Sequence, residues 1–315
     1  MDYIILILGL ALLLIGANVL VDSSVAIAKK AHLSDFVIGL TIVGMGTSAP
    51  ELFISTSSAI TGHGDIAMGN VLGSNICNVL LILGATGLIL PFTIQRQQTR
   101  RDIPFAIFAS ILVTILTFTG AQTGLSRVDG AILLVAFTAY MGYVVYKSRN
   151  EATEEEELQP NKYQRLNIAL LIIIALASLG ALIGGGTMFL DSAKSIARAW
   201  GVSESVISIT IVAVGTSLPE LITCIIAARR GNAQLALGNV LGSNIFNALF
   251  VLGVPALIHP FTTQSIAITD YAMLLFSALL CYIVIFTFGK RKFDRIEGLI
   301  FLLIYIGYDI ALFMR

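Results

Sequence analysis

The stretch VIGLTIVGMGTSAPELFISTSSAITGHGDIAMGNVLGSNICNVL, residues 37 to 80, returns as VISITIVAVGTSLPELITCIIAARRGNAQLALGNVLGSNIFNAL, residues 206 to 249. The two copies align without a gap at an offset of 169 residues. Gly46, Thr47, Ser48, Pro50 and Glu51 fall on Gly215, Thr216, Ser217, Pro219 and Glu220. Further on, Asn70, Gly73, Ser74, Asn75 and Asn78 fall on Asn239, Gly242, Ser243, Asn244 and Asn247. A polar element broken by Gly and Pro, present twice inside hydrophobic surroundings, points to a binding site at the interface of two membrane repeats.

Composition fixes the solvent. Apolar residues make up 57% of the 315-residue chain and charged residues only 12%, against about 25% charged in soluble domains, and the mean hydropathy is +0.90. These values describe an integral membrane protein. The net charge of zero leaves no basic footprint for nucleic acid. Cys77, Cys224 and Cys281 lie in apolar segments without CxxC spacing and read as packing residues. Tyr3 to Val21 is too long for the apolar core of a signal peptide and lacks a basic cluster before it. Its continuation, GANVLVDSSVAIAKK at 16 to 30, resembles GGTMFLDSAKSIARA at 185 to 199, so it reads as a retained helix.

Apolar runs near the length of a membrane span fall at 3–21, 36–60, 66–90, 103–120 and 128–146, then at 167–190, 205–228, 233–258, 268–288 and 296–313. The expectation is an all-α membrane protein of ten transmembrane helices, arranged as two five-helix repeats. The first repeat spans 1–147 and the second 166–315, joined by an acidic linker at 148–165. The linker's EATEEEELQPNK lacks the spacing of a calcium loop and reads as a solvated tether.

Fifteen of the nineteen basic residues fall in one set of alternate loops and four in the other. Because basic residues favour cytoplasmic loops, both termini are expected outside and the linker inside. Each repeat has an odd number of spans, so the second enters the membrane the opposite way. The repeats are then inverted, and both copies of the motif meet near the midplane.

The GTSxPE chemistry follows from depth. A carboxylate in the middle of a span costs at least ~2.5 kcal/mol, so Glu51 and Glu220 need compensation. Thr47 and Ser48 lie four and three residues before Glu51 and share its helical face; Thr216 and Ser217 do the same for Glu220. Pro50 and Pro219 cannot donate and crowd the carbonyls of Gly46 and Gly215. Carboxylates, hydroxyls and freed carbonyls are hard ligands for calcium or sodium. Ser74, Asn78, Ser243 and Asn247 form polar stripes expected to face the glutamates, whereas Asn70, Asn75, Asn239 and Asn244 are expected mainly to pack helices. Asp22 and Asp191 sit at span ends and read as caps or snorkelling groups.

GTSAPE with GNVLGSNICN, and GTSLPE with GNVLGSNIFN, resemble the two alpha repeats of the sodium/calcium exchanger branch of the cation/calcium antiporter superfamily, in its compact prokaryotic form. The resemblance covers essentially all ten expected helices. It implies sodium/calcium exchange by alternating access, with the first and sixth helices sliding past the four that carry the motifs. It also implies that Glu51, Glu220, Thr47 and Thr216 bind calcium, and that sodium uses the glutamates with Ser48, Ser74, Ser217, Ser243 and the carbonyls of Gly44 and Ala213. The cargo ions and the lipid bilayer are the expected partners, in a cell inner membrane, with neither a cofactor nor an obligatory protein partner. The chain departs from the pattern at Asn247, where sodium/calcium exchangers of the family carry aspartate, and there the driving ion and stoichiometry stay open. A proton/calcium or other cation antiporter is the alternative. A cation channel lined by the same ligands ranks behind both, because inverted repeats favour alternating access. An enzyme is not expected, since His32, His63 and His259 lie at loops or span ends.

Overall fold

The computed structural model describes residues 2–120, 123–148, 163, 165–201, 215–286 and 291–314. Most of the acidic linker therefore lies outside the described residues, as do Ala213 and the stretch before the second GTSxPE.

Helices dominate because each apolar run must satisfy its own backbone polar groups in lipid. They are α1 (Asp2–Ala31), α2 (Asp35–Thr47), α3 (Ala49–Ile60), α4 (Gly64–Ile89), α5 (Gln98–Thr119) and α6 (Arg127–Ser148). There follow α7 (Ile168–Ala199), α8 (Leu218–Arg229), α9 (Ala233–Ile258), α10 (Ile268–Ile283) and α11 (Arg295–Phe313). Six of these are long and apolar enough to cross a membrane, and α2 with α3, bent by 44° at their junction, makes a seventh span if counted as one. The break falls at Ser48, where Pro50 opens α3 and denies the helix a donor.

Burial sorts the helices into layers. The central windows of α4 and α9 are 72% and 78% buried, whereas those of α1, α5, α6 and α7 are only 28–39% buried. The outer helices turn Phe53, Val135, Leu176 and Leu303 outward, each more than half exposed. An apolar exterior on this scale is a lipid-facing surface.

Two packings place the site. The first joins α1 to α7 along a seam so close that a Cβ on Gly9 would meet the Phe189 nitrogen at 2.6 Å and one on Gly16 would meet the Leu182 nitrogen at 2.8 Å. The second presses α2 onto α9, where a Cβ on Gly242 would lie 2.6 Å from the Leu40 Cα. Small residues permit such backbone contact between membrane helices.

Structural contacts exchange the halves of the chain. Beyond the all-α expectation, two-residue strands β1 (Phe92–Thr93), β2 (Gly124–Leu125), β3 (Phe261–Thr262) and β4 (Lys292–Phe293) form two antiparallel ribbons, β1 with β4 and β2 with β3. Each ribbon joins the first half to the second. The same exchange recurs at the centre: the Asn75 amide donates to the Asn244 carbonyl at 3.2 Å, and the Asn244 amide to the Asn75 carbonyl at 3.3 Å. Backbone dihedrals match too, with Ser48 at φ −84°, ψ 10° and Ser217 at φ −89°, ψ 9°.

Candidate cation site

The bend after Thr47 puts Glu51 in the first turn of α3, and the matching turn puts Glu220 in the first turn of α8. A helix N-terminus carries partial positive charge and favours a carboxylate there. Both side chains are fully buried, at 0% and 1% exposure. The Ser48 hydroxyl donates to Glu220 Oε1 at 3.0 Å, which ties the first motif to the carboxylate of the second. The Ser74 hydroxyl donates to Glu51 Oε1 at 3.4 Å. In each carboxylate Oε2 has no hydrogen-bond partner among the described residues.

The wall around them is also drawn from both halves. The Gly44 carbonyl accepts from the Ser243 hydroxyl at 3.1 Å, from the Ser48 N–H at 3.3 Å and from the Thr47 hydroxyl at 3.4 Å. Thr47 is equally close to the Asn239 side-chain oxygen, at 3.3 Å. Asn78 donates to the Asn244 side-chain oxygen at 3.0 Å. Asn78 and Asn247 each begin a π-helical stretch, Asn78–Leu83 and Asn247–Val251, a widening of the helix often found where a side chain is re-aimed.

The structure thus links Glu220, Ser48, Gly44, Thr47 and Ser243 by hydrogen bonds and pairs Glu51 with Ser74. Ser243 reaches the Gly44 carbonyl, and no bond to a glutamate is found for it among the described residues. Asn247 is wholly buried, and among the described residues neither its amide nitrogen nor its oxygen is bonded, nor are the Ser217 hydroxyl and the Asn78 side-chain oxygen. Thr216 lines a cavity of about 390 Å³ beside Ser74. Ala213 lies outside the described residues.

Sequence reasoning missed several participants. Asn239, assigned to packing, also donates to the Cys224 sulfur at 3.1 Å, and Asn70 holds the Glu51 carbonyl at 3.2 Å. Asp270, Tyr305 and Asp309 share the cavity of Ser74 and Thr216. Their signal was weak but present, since Asp309 is an acid inside an apolar run. Among the described residues no three His, Cys, Asp or Glu side chains gather as a metal cluster. The site is therefore two carboxylates among neutral oxygens, a donor set for hard cations of low or moderate charge.

Residues 1–146 and 170–314 match the protein family described as sodium/calcium exchanger protein. The chain belongs to that family. It is 32% identical over 351 residues to the sodium/calcium exchanger MaX1 of Methanosarcina acetivorans, covering 99% of this chain and 98% of the relative. It is 35% identical over 296 residues to the inner membrane protein YrbG of Escherichia coli, covering 88% and 87% respectively. The fold superposes on a solved sodium-calcium exchanger, NCX_Mj, soaked with 2.5 mM Na+ and 0.1 mM Ca2+, with a TM-score of 0.82, 31% identity and coverage of 98% and 97%. The expected resemblance is thereby met for the whole exchanger chain.

Proposed function

We propose that this exchanger-family chain is a secondary active antiporter that moves calcium against sodium, binding both at Glu51 and Glu220 by alternating access. The observation that carries the reading is the Ser48–Glu220 hydrogen bond of 3.0 Å, which joins the two motif copies and so supports a single site shared by both halves of the chain. Thr47, Thr216, Ser48, Ser217, Ser74, Ser243, Asn78, Asn247 and the carbonyls of Gly44 and Ala213 complete the proposed ligand set. Their neutral oxygens suit sodium, and the paired carboxylates supply the charge that a divalent ion needs.

The proposed architecture is ten spans in two inverted five-helix repeats, 1–147 and 166–315, with the linker between them. The exchanged strand ribbons and the reciprocal Asn75–Asn244 pair support a two-fold relation between halves. The proposed setting is a cell inner membrane, with both termini outside and the linker in the cytoplasm. The ions are cargo; the chain is assigned neither a cofactor nor a catalytic residue. Single-cysteine labelling of intact cells at Gly62 and Glu155 tests the topology, and preferential outside labelling at Glu155→Cys overturns it.

Calcium flux in proteoliposomes under separately imposed sodium and proton gradients tests the function. Uptake driven by an outward sodium gradient is expected. Uptake driven only by the proton gradient would establish the proton/calcium alternative, which the neutral Asn247 keeps in view. Calcium movement without any countertransported ion would indicate a channel and refute exchange.

A further inference from the structure

Cys224, read from the sequence as a packing residue, begins a chain of three hydrogen-bonded side chains that ends at Thr47. Its thiol, on α8, donates to the Ala236 carbonyl of α9 at 3.6 Å, and its sulfur accepts from the Asn239 side-chain nitrogen at 3.1 Å. Asn239, also on α9, turns its side-chain oxygen to the Thr47 hydroxyl at the end of α2, at 3.3 Å. Cys224, Asn239 and Thr47 are each 0% exposed, so these bonds are made away from solvent. The first repeat builds the same arrangement with a hydroxyl. Ser55 donates to the Ala67 carbonyl at 3.2 Å and accepts from the Asn70 side-chain nitrogen at 2.9 Å. Ser55, Ala67 and Asn70 are the counterparts of Cys224, Ala236 and Asn239 at the 169-residue offset. The same two bonds, made once by a hydroxyl and once by a thiol, mark the position as a polar one.

The direction of these bonds decides what Thr47 offers a cation. An asparagine amide presents either its oxygen or its nitrogen to a neighbour, and the surrounding bonds set which. Because the Cys224 proton is committed to Ala236, the sulfur can only accept. It draws the Asn239 nitrogen and leaves the Asn239 oxygen for Thr47. A threonine hydroxyl has one proton and two lone pairs, so with its proton on Asn239 its lone pairs are open to a cation. The other acceptor near that proton, the Gly44 carbonyl at 3.4 Å, already takes shorter bonds from Ser243 at 3.1 Å and the Ser48 N–H at 3.3 Å. With the amide reversed, its N–H would occupy one Thr47 lone pair, and the hydroxyl proton would turn toward the Glu220 carboxylate, which lies close to it.

We propose, on the reading of Thr47 as a calcium ligand, that Cys224 is a positioning residue for calcium: through Asn239 it holds the Thr47 hydroxyl with its lone pairs toward the ion. Groups that orient a metal ligand in this way typically contribute about 10- to 100-fold in affinity. Sulfur is a weak acceptor, which places Cys224 at the lower end.

The test is isothermal titration of the full chain in detergent with calcium and, separately, with sodium. Cys224→Ala removes the acceptor and is expected to weaken calcium binding about 10-fold. Sodium, for which the family resemblance implies serine hydroxyls and backbone carbonyls instead of Thr47, is expected to bind unchanged. Cys224→Ser, which copies Ser55, is expected to bind calcium as the wild type does. On a Thr47→Val background the alanine change should cost nothing further, because the hydroxyl it orients is gone. If the alanine variant does not fold, Cys224→Val, which fills the space without accepting a hydrogen bond, takes its place. Equal losses for calcium and sodium overturn the proposal. So does a serine variant as weak as the alanine one, or a full 10-fold loss on the Thr47→Val background. Sodium-driven calcium flux is measured in parallel: absent flux with this binding pattern intact overturns the exchange reading and leaves the role of Cys224 standing.

Discussion

Asp22→Asn should shift the protein between the two access states of the proposed cycle, because Asp22 anchors a link that, among the described residues, has no counterpart at the repeat-related position. Asp22 lies on α1, which moves as a unit with α7 if the close seam between them holds. Arg230, at the C-terminal end of α8, forms an ion pair with Asp22 and donates to the Asn18 side-chain oxygen at 2.6 Å. It thus pins the α1/α7 pair to the helices that carry the site. The repeat gives the control. Asp22 corresponds to Asp191, but Arg230 corresponds to Thr61, which has the same backbone conformation (φ −85°, ψ 6° against φ −89°, ψ 6°) and no charge. The Thr61 hydroxyl bonds locally, at 2.9 Å to the Ser57 carbonyl and 3.1 Å from His63 Nδ1, and Asp191 meets Lys194 on its own helix at 3.4 Å.

The pair side chains are 34% and 18% exposed for Arg230 and Asp22, between the exposed limit of about 0–1 kcal/mol and the cost of 3–5 kcal/mol for breaking a buried pair. A value of about 1–2 kcal/mol corresponds to a 5- to 30-fold change in a two-state equilibrium. Breaking the pair frees the end at which it closes the gap between α1 and α8. Apparent calcium affinity from that face should rise by up to this factor, since it scales with the fraction of molecules open there. The assay is calcium uptake in proteoliposomes with calcium presented to one face at a time. Arg230→Gln should reproduce the effect without adding to it, as members of one interacting pair do. Thr61→Arg should build the missing link opposite Asp191 and bias access the other way. Unchanged affinities from both faces in a stably folded Asp22→Asn protein would refute the reasoning.

Glu51→Gln and Glu220→Gln should each abolish calcium exchange and weaken sodium binding less. At about 4 Å and an effective dielectric of 20, one lost charge removes roughly 8 kcal/mol of gross attraction for calcium but 4 for sodium, and isothermal titration of both ions would reveal equal losses if the assignment were wrong. Asn247→Asp should make exchange pH-dependent by placing a titratable group where the wild type has an amide. A flux profile as flat as the wild type between pH 5 and 8 would count against Asn247 lining the site. Gly242→Ala should lower thermal stability by about 1–3 kcal/mol of overpacking, because its Cβ would meet the Leu40 backbone at 2.6 and 2.7 Å.

What could be read in the sequence is what the repeat holds in common. The carboxylates, their hydroxyls three and four residues before, and the proline that opens each half-helix are local relations, and the structure reproduces them with matching dihedrals in both halves. Local spacing could not show which atoms meet across the repeat boundary. Ser243, expected to face a glutamate, donates to the Gly44 carbonyl, which the tight crossing at Gly242 brings within reach. Asp22 was read as a cap or snorkelling group, and its partner Arg230 stands 208 residues away in the chain, beyond any helical spacing rule. The cavity beside Ser74 joins Tyr305 and Asp309 of α11 to the first repeat, again through a long-range contact. The differences between the copies therefore carry information that the identities do not. Two inverted repeats of identical sequence would be equally stable facing either side of the membrane. Each substitution that breaks the symmetry, such as Thr61 against Arg230, tilts that balance. A transporter driven by an ion gradient needs both states populated, within the few kcal/mol that such single contacts supply.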